Sequence, residues 1–209
     1  MRKTIAIKLV GGLSNTSKMP GSSMGLPTAH CKTGSRLAKI DGTVCSMCYA
    51  QKGHYKMYAH TVVPAQQRRL DAFGDPQWVD AMTTALDNDR WFRWFDSGDL
   101  QSVGMLLKIF EVARATPWCN HWLATRERGF VRQAAVKSAV PDNMVIRVSA
   151  TFPDVPVKPI KVENINYANV HKAKAPVGHA CPAPQQGGEC GQCRACWNRD
   201  VQVVSYHQH

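Results

Sequence analysis

Two spacings of hydrophobic residues alternate along most of the chain. Short apolar runs typical of buried strands are separated by segments in which apolar residues recur every three or four positions, as on one face of a helix. Residues 99–117 show the helical spacing most clearly, at Leu100, Val103, Leu106, Leu107, Phe110 and Ala113. The pattern therefore predicts strands that alternate with helices.

The order of the predicted elements indicates the fold class. Strands are predicted at 4–10, 90–96, 120–126, 143–151, 162–170 and 201–207, and helices at 62–74, 75–89, 99–117 and 130–140. Strands that alternate with helices pair in parallel through right-handed crossovers. We therefore predict an α/β fold, a compact or incomplete (βα) barrel with parallel strands and long metal-stapled loops. An open doubly wound sheet is the alternative.

We expect one barrel-like domain over residues 1–209, because this length suits a single core. Residues 11–60 are dense in Gly, Ser, Pro and Lys and show no sustained period. A loop-rich cap is predicted there. A Cys-rich metal loop is predicted at 178–200.

The composition is that of a globular protein and argues against a membrane protein. Apolar residues make up 44% of the chain, and no apolar run approaches the roughly 20 residues that span a bilayer. The first residues, MRKTIAIKLVGG, are basic and then apolar, but the apolar part is too short for a signal peptide. We expect a cytoplasmic protein with no membrane partner.

The charge favours a polyanionic partner. The formal net charge is +11, and residues 1–60 contain nine Lys and Arg against one acid, Asp41. These bases lie in loop-like sequence rather than in helical Glu–Lys pairs, which favours nucleic acid as the partner. The alternative is a solvated cationic surface.

Seven of the eight cysteines fall into two sets. Without a secretory signal, cysteines indicate metal or redox chemistry rather than disulfides. The first set, here called the late quartet, has the spacing of a zinc site or of a 4Fe-4S cluster and comprises Cys181, Cys190, Cys193 and Cys196. Free buried cysteines are the alternative.

The second set, here called the early trio, comprises Cys31, Cys45 and Cys48. Three thiolates leave one coordination position open, as in clusters that bind a substrate or S-adenosylmethionine at one iron. A zinc site completed by His30 or His54 is also compatible with the spacing. So is a turn at Cys45 and Cys48 with an unrelated Cys31, or one site shared by both sets.

Candidate reactive residues follow the predicted strands, and the carboxyl ends of parallel strands meet at one edge. Asp96 and Asp99 are the candidate catalytic acid–base pair, on either side of a turn in which Gly98 leaves room for a planar ligand. Alternatively, Asp99 or Ser97 caps the next helix. Substrate-binding candidates at later strand ends are Thr125, Arg126 and Ser149, and His207 is a candidate ligand or proton carrier.

Several motifs resemble the phage-borne gene-88-type family. They are SKMPGSSMGLPTAHC, CSMCYAQKGHY, a strand ending in SGD, ATR, and a late CP followed by C-x2-C-x2-CW. The resemblance runs over most of the chain. It implies a location in the host cytoplasm but no particular activity.

The segment DSGDLQS resembles the DSGGFQ element of guanine transglycosylases. These queuine-type tRNA enzymes and their phage DNA counterparts are barrels with a structural zinc, and they exchange guanine for a 7-deazaguanine. The resemblance implies that Asp96 contacts or deprotonates the base, that Ser97 and Gln101 help to recognise it, and that cysteines hold a zinc away from the reacting carbon. Asp99 stands where that family has glycine.

The order of the cysteines resembles that of radical S-adenosylmethionine enzymes. In that class three cysteines after the first strand bind a cubane, a Gly-Gly-Glu element after the second strand holds the methionine amine, and a late cysteine cluster holds an auxiliary cubane. Here the early trio, the turn at 97–99 and the late quartet follow in that order. The gap of thirteen residues before Cys45 is longer than the three usual in that class.

Together these observations predict a nucleic-acid base-modifying enzyme. The first hypothesis is a DNA-guanine transglycosylase that exchanges guanine for a 7-deazaguanine in phage DNA, with DNA favoured over RNA and a modified base as the small-molecule partner. The alternative is an iron–sulfur enzyme like the radical S-adenosylmethionine enzymes. The third hypothesis is a non-enzymatic, metal-stapled DNA-binding protein.

Overall fold

The computed structural model describes residues 1–208, apart from the side chain of His54. The helices of this part are α1 (Lys3–Leu9), α2 (Lys32–Leu37), α3 (Gly53–Met57), α4 (Ala59–Ala72), α5 (Trp78–Ala85), α6 (Val103–Ala115) and α7 (Arg128–Lys137). The strands are β1 (Ser14–Asn15), β2 (Ser22–Met24), β3 (Trp91–Trp94), β4 (Asn120–Thr125), β5 (Met144–Ser149), β6 (Ile165–His171), β7 (His179–Ala180) and β8 (Val203–His207). None of these helices is long and apolar enough to cross a membrane.

The strands form one sheet in the order β1-β2-β3-β4-β5-β6-β8-β7. β1 and β2 are antiparallel, and all other neighbours are parallel. The prediction of an α/β fold with parallel strands is therefore confirmed. The order from β2 to β6 follows the chain without the reversal of a doubly wound sheet. Within residues 1–208, β1 and β7 are the sheet edges and do not pair, so closure into a barrel is not observed.

The helices α1, α4, α5, α6 and α7 pack on one face of the sheet. Phe92 and Trp94 alternate with more exposed residues along β3, and both are fully buried on the helical side. They belong to one apolar cluster with Trp78 of α5 and Phe110 of α6. Helices on this side leave the opposite face of the sheet, here called the inner face, for other parts of the chain.

The C-terminal segment covers the inner face. Trp122 of β4 and Val204 of β8 form a second apolar cluster with a short 3-10 helix, Ala195–Trp197. The indole Nε1 of Trp197 donates to Phe92 O of β3 at 2.9 Å. The segment 178–200, which was predicted as a Cys-rich metal loop, therefore packs directly against the sheet.

The prediction of a strand at 4–10 is wrong, because these residues belong to α1. Ala6 and Val10, four positions apart, are fully buried, whereas Ile5 is 48% exposed. One-sided burial at this spacing is that of a helix. An apolar run this short fits either period, and contact with α5 decides the outcome here.

The predicted cap at 11–60 contains the first parallel strand. β2 pairs with β3 through Ser23 and Met24, so the long irregular segment starts only after residue 24. The helix predicted from residue 99 begins at Val103 instead. Its N-cap is Ser102, whose Oγ accepts from Met105 N at 3.0 Å.

Candidate functional site

The cysteine loop, residues 31–49, lies across the carboxyl ends of the parallel strands. Its attachments reach residues that follow β3, β4, β5 and β8. They are Tyr49 OH to Asp96 O, Thr33 to Glu127, Val44 N to Thr151 O (2.9 Å), and Gln208 Nε2 to Met47 Sδ (2.8 Å). Since four strand ends hold the loop, the sheet as a whole positions it.

The early trio is gathered within this loop. The sulfurs of Cys31 and Cys45 lie 3.6 and 3.7 Å from the point that a Cβ on Gly34 would occupy, so both line one small space beside α2. Burial, followed by the charges of Asp99, Cys48 and Cys45, raises the pKa of Cys31 to about 12. Without a metal the Cys31 thiol is therefore neutral at pH 7.

Arg126 connects the early trio to the strand ends. Its guanidinium donates to Ala150 O and hydrogen-bonds to Cys45. Burial raises the pKa of Cys45, and Arg126 acts in the opposite direction. A cation in this position stabilises thiolates.

Asp99 holds the ends of β3 and β4 together. It is 6% exposed, and its carboxylate accepts from Leu100 N (2.8 Å), Thr125 Oγ1 (2.5 Å) and Arg126 N (2.9 Å). Burial raises its pKa to about 6, and these three hydrogen bonds oppose the rise. Thr125, a predicted substrate contact, is thus bonded within the protein.

Asp96 and Ser97 are buried in a polar cluster at the end of β3. Ser23 Oγ donates to Asp96 Oδ2 at 2.8 Å. Gln66 Nε2 donates to Ser97 Oγ at 2.7 Å, and Ser97 Oγ donates to Leu26 O at 3.1 Å. The Ser97 hydroxyl therefore has both a donor and an acceptor.

Gly98 has a structural reason to be glycine. Its φ is +73°, and a Cβ there would lie 2.6 Å from Leu26 O. The Leu26 backbone occupies the space that was predicted for a planar ligand.

The remaining predicted residues are less closely grouped. Gln101 Nε2 donates to Asp99 O at 2.7 Å, within its own turn. Ser149 ends β5, and the exposed His207 ends β8 with its ring centroid 5.4 Å from that of His171. His30 is exposed, and the predicted role of the His54 side chain falls outside the described residues.

The late quartet lies on the inner face of the sheet. Cys196 is 9% exposed, and its Sγ lies 3.1 Å from the hydroxyl of Tyr206. The Sγ of Cys193 lies 3.5 Å from His179 Nε2. Cys193 N donates to Cys190 O at 2.9 Å, which closes a tight turn at the C-x2-C pair.

Cys181 is the common neighbour of the late quartet. It interacts electrostatically with Cys190, Cys193 and Cys196. Burial is the main cause that raises the pKa of Cys196 to about 12. All four are free thiols.

Neither cysteine set is closed around a metal position. Within the described part of the chain, no three His, Cys, Asp or Glu side chains are arranged as metal ligands. Stapling of the loops by metal therefore stays a prediction for both sets. Neighbouring thiols require side-chain rotation to enclose a metal.

Three residues beside these sites are not predicted from the sequence. Glu127 is 6% exposed and accepts from Thr33 N (2.7 Å) and Thr33 Oγ1 (2.9 Å). Arg93 lies over the Trp122 ring at 4.5 Å, and Arg147 of β5 is fully buried. For the two arginines the signal in the sequence is a charged residue inside an apolar strand, as in RWFRW and MVIRV.

Comparison with curated proteins found no match, and comparison with solved structures found none. The short motifs shared with transglycosylases and radical S-adenosylmethionine enzymes therefore have no support from these comparisons. The family model of gene product 88 matches residues 2–199, nearly the whole chain. The chain belongs to the gene product 88 family.

Proposed function

We propose that the protein is an iron–sulfur enzyme that acts on nucleic acid, with a cluster bound by the early trio and S-adenosylmethionine as co-substrate. The observation that carries the proposal is the gathering of Cys31, Cys45 and Cys48 at the carboxyl edge of a parallel sheet. This edge is where parallel α/β folds bind ligands.

The chain order of the elements supports the same function. The cysteine loop follows β2, the first parallel strand, and the turn at 97–99 follows β3, the next strand. This is the order on which the resemblance to radical S-adenosylmethionine enzymes depends. The helix found at 3–9 improves the agreement, because β2 is then the first parallel strand among residues 1–208.

The donor set fits a cluster with one open iron. Three thiolates bind three irons of a cubane and leave the fourth to a ligand that is not from the protein. Gly34 contributes by having no side chain, because a Cβ there would lie 3.6 and 3.7 Å from the sulfurs of Cys31 and Cys45 and occupy space beside them. Arg126 beside Cys45 offsets part of the thiolate charge.

Glu127 and Asp99 hold the cysteine loop and the strand ends in position around the early trio. With an external one-electron reductant, a cluster held by the early trio would supply the electron that radical chemistry on S-adenosylmethionine needs. Glu127 fixes Thr33, two positions after Cys31, and so anchors the start of α2. Asp99 holds two strand ends in place below the loop.

The charge around the site supports a polyanionic substrate. Residues 31–57 contain one exposed acid, Asp41, and five exposed bases, Lys32, Arg36, Lys39, Lys52 and Lys56. Such a segment attracts the phosphate backbone and positions a strand without reading its sequence. DNA remains the favoured substrate.

Base exchange by a guanine transglycosylase is the second candidate. Asp96 favours it, because this carboxylate is 7% exposed at a strand end and interacts with Arg69 and Arg93. Ser97 and Gln101, which the resemblance assigns to base recognition, hydrogen-bond within the protein. We therefore rank base exchange below the iron–sulfur function.

The test is anaerobic reconstitution of the full chain with iron and sulfide, followed by iron analysis and visible absorbance. Cys31→Ala, Cys45→Ala and Cys48→Ala are each expected to lose about four iron atoms per chain relative to the wild type. They should also lose reductive cleavage of S-adenosylmethionine. The matched control is Cys119→Ala, a buried thiol on the helical side, which should lose neither.

Wild-type iron content in all three early-trio variants would contradict the proposal. Guanine exchange that survives in those variants and disappears in Asp96→Ala would support the second candidate instead. DNA binding with neither activity would leave a metal-stapled binding protein.

A further inference from the structure

Arg147 is a buried cation in the centre of the inner face. It has no exposed surface, and its guanidinium donates to four backbone carbonyls. These belong to Ala195 (2.7 Å), Asn198 (3.0 Å), Cys196 (3.1 Å) and Tyr167 (3.3 Å). Three of the four carbonyls lie in the turn that carries Cys196.

These hydrogen bonds satisfy four of the five N–H donors of Arg147 but do not balance its charge. Among residues 1–208, the ion pair found joins Arg199 to Asp142, and no carboxylate pairs with Arg147. Arg147 interacts electrostatically with Tyr206 and Cys196. A buried charge without a counter-ion is destabilising. A negatively charged group close to Arg147 would therefore stabilise the folded protein.

The late quartet is in the right place to supply that anion. Arg93 also interacts with Cys190 and Cys196, and Arg194 interacts with Cys190. The guanidinium of Arg194 donates to Cys193 O at 2.8 Å. A neutral thiol balances none of these cations, whereas a metal-bound thiolate is deprotonated and does.

We infer that the late quartet binds a metal centre and that Arg147 is its buried counter-ion. Four thiolates with a zinc ion, or with a 4Fe-4S cluster, carry a net charge of about −2, which matches two or three neighbouring arginines. The centre closes the inner face, away from the early trio. The inference does not depend on the iron–sulfur function proposed above.

The experiment measures zinc, iron and sulfide in the full chain purified anaerobically. The double variant Cys190→Ser/Cys193→Ser should lose the metal bound by the late quartet and keep the iron bound by the early trio. If one cysteine set loses its metal while the other keeps it, the failure of this inference can be distinguished from the failure of the proposed function. Competition with a chelator should show that Arg147→Met binds the late metal about 10- to 100-fold more weakly than the wild type.

A purely structural role for Arg147 predicts different changes in Tm. Loss of four carbonyl hydrogen bonds alone would lower the Tm of metal-loaded and metal-stripped protein equally. The counter-ion role predicts a larger drop in the loaded protein, and an affinity for Arg147→Lys that lies closer to wild type because the charge remains. Arg132→Met, on the exposed side of α7, is the matched control and should change nothing.

Unchanged metal content in the double cysteine variant would overturn the site. Equal metal affinity in Arg147→Met and the wild type would overturn the counter-ion role. If Arg147→Met does not fold, Arg93→Met gives the same comparison from the other side of the late quartet.

Discussion

The bond between Glu127 and Thr33 attaches the cysteine loop to the end of β4, and its loss should be measurable. The carboxylate of Glu127 accepts from the backbone N–H (2.7 Å) and the hydroxyl (2.9 Å) of Thr33. In Glu127→Gln the amide oxygen can still accept from Thr33 N, and the amide nitrogen can donate to the Thr33 hydroxyl, but neither bond then involves a charged group. The substitution therefore replaces two charge-assisted hydrogen bonds with two weaker neutral ones.

The magnitude follows from the burial of the pair. A hydrogen bond to a charged group contributes about 1.5–3 kcal/mol, and Glu127 is 6% exposed, so solvent does little to replace it. Replacing two such bonds by neutral ones should lower the free energy of unfolding of Glu127→Gln by about 2 kcal/mol. At about 2–4 °C per kcal/mol for a chain of this size, the Tm should fall by about 4–8 °C.

The assay is urea denaturation of metal-free protein in a double-mutant cycle with Thr33→Val. Metal is removed because its binding adds a separate stabilisation. Thr33→Val removes the hydroxyl–carboxylate bond that Glu127→Gln weakens, so the effects of the two substitutions should fall short of additivity by about 1 kcal/mol. Glu111→Gln, exposed on α6, is the control and should stay within about 0.5 kcal/mol of wild type. Additive effects of Glu127→Gln and Thr33→Val would refute this reasoning.

Three further predictions concern stability and the early trio. Gly98→Ala should cost about 2 kcal/mol or more in urea denaturation because of its φ of +73°, whereas Gly129→Ala, with open space around it in α7, should be neutral or stabilising. Burial lowers the pKa of His121 to about 3, so stability should fall as pH drops below about 6.5, by about 2 kcal/mol between pH 7 and pH 5, and His121→Gln should lack this dependence. Gly34→Ala should lower the iron content, because its Cβ would meet Cys31 Cβ at 3.0 Å and displace that cysteine from the other two.

Strong periodicity made most of the sheet and its helices predictable. β3, β4, β5 and β8 each lie within a predicted strand, and β6 extends one residue beyond one, because each is an apolar run bounded by turns. The parallel arrangement then implied that Asp96, Asp99, Thr125 and Arg126 share one edge. Hydrogen bonds within the protein determine whether each carboxylate remains available to a substrate. The spacing of residues along the sequence does not predict these bonds.

Other features depend on contacts that are distant in the sequence. β2 is only Ser-Ser-Met and becomes a strand by pairing with β3, about seventy residues later. Glu127 is recognisable only through Thr33, and Arg147 only through the turn after Ala195. The spacing of the late quartet predicted that its cysteines belong to one site but could not place them on the inner face.

The most direct test of the account is electron paramagnetic resonance of the reduced, reconstituted full chain with and without S-adenosylmethionine. A cluster on the early trio with an open iron predicts a spectrum that changes when S-adenosylmethionine is added. The change should persist in Cys190→Ser/Cys193→Ser and vanish in Cys48→Ala. A cluster signal that is identical with and without S-adenosylmethionine, or no cluster signal in the wild type, would contradict the account.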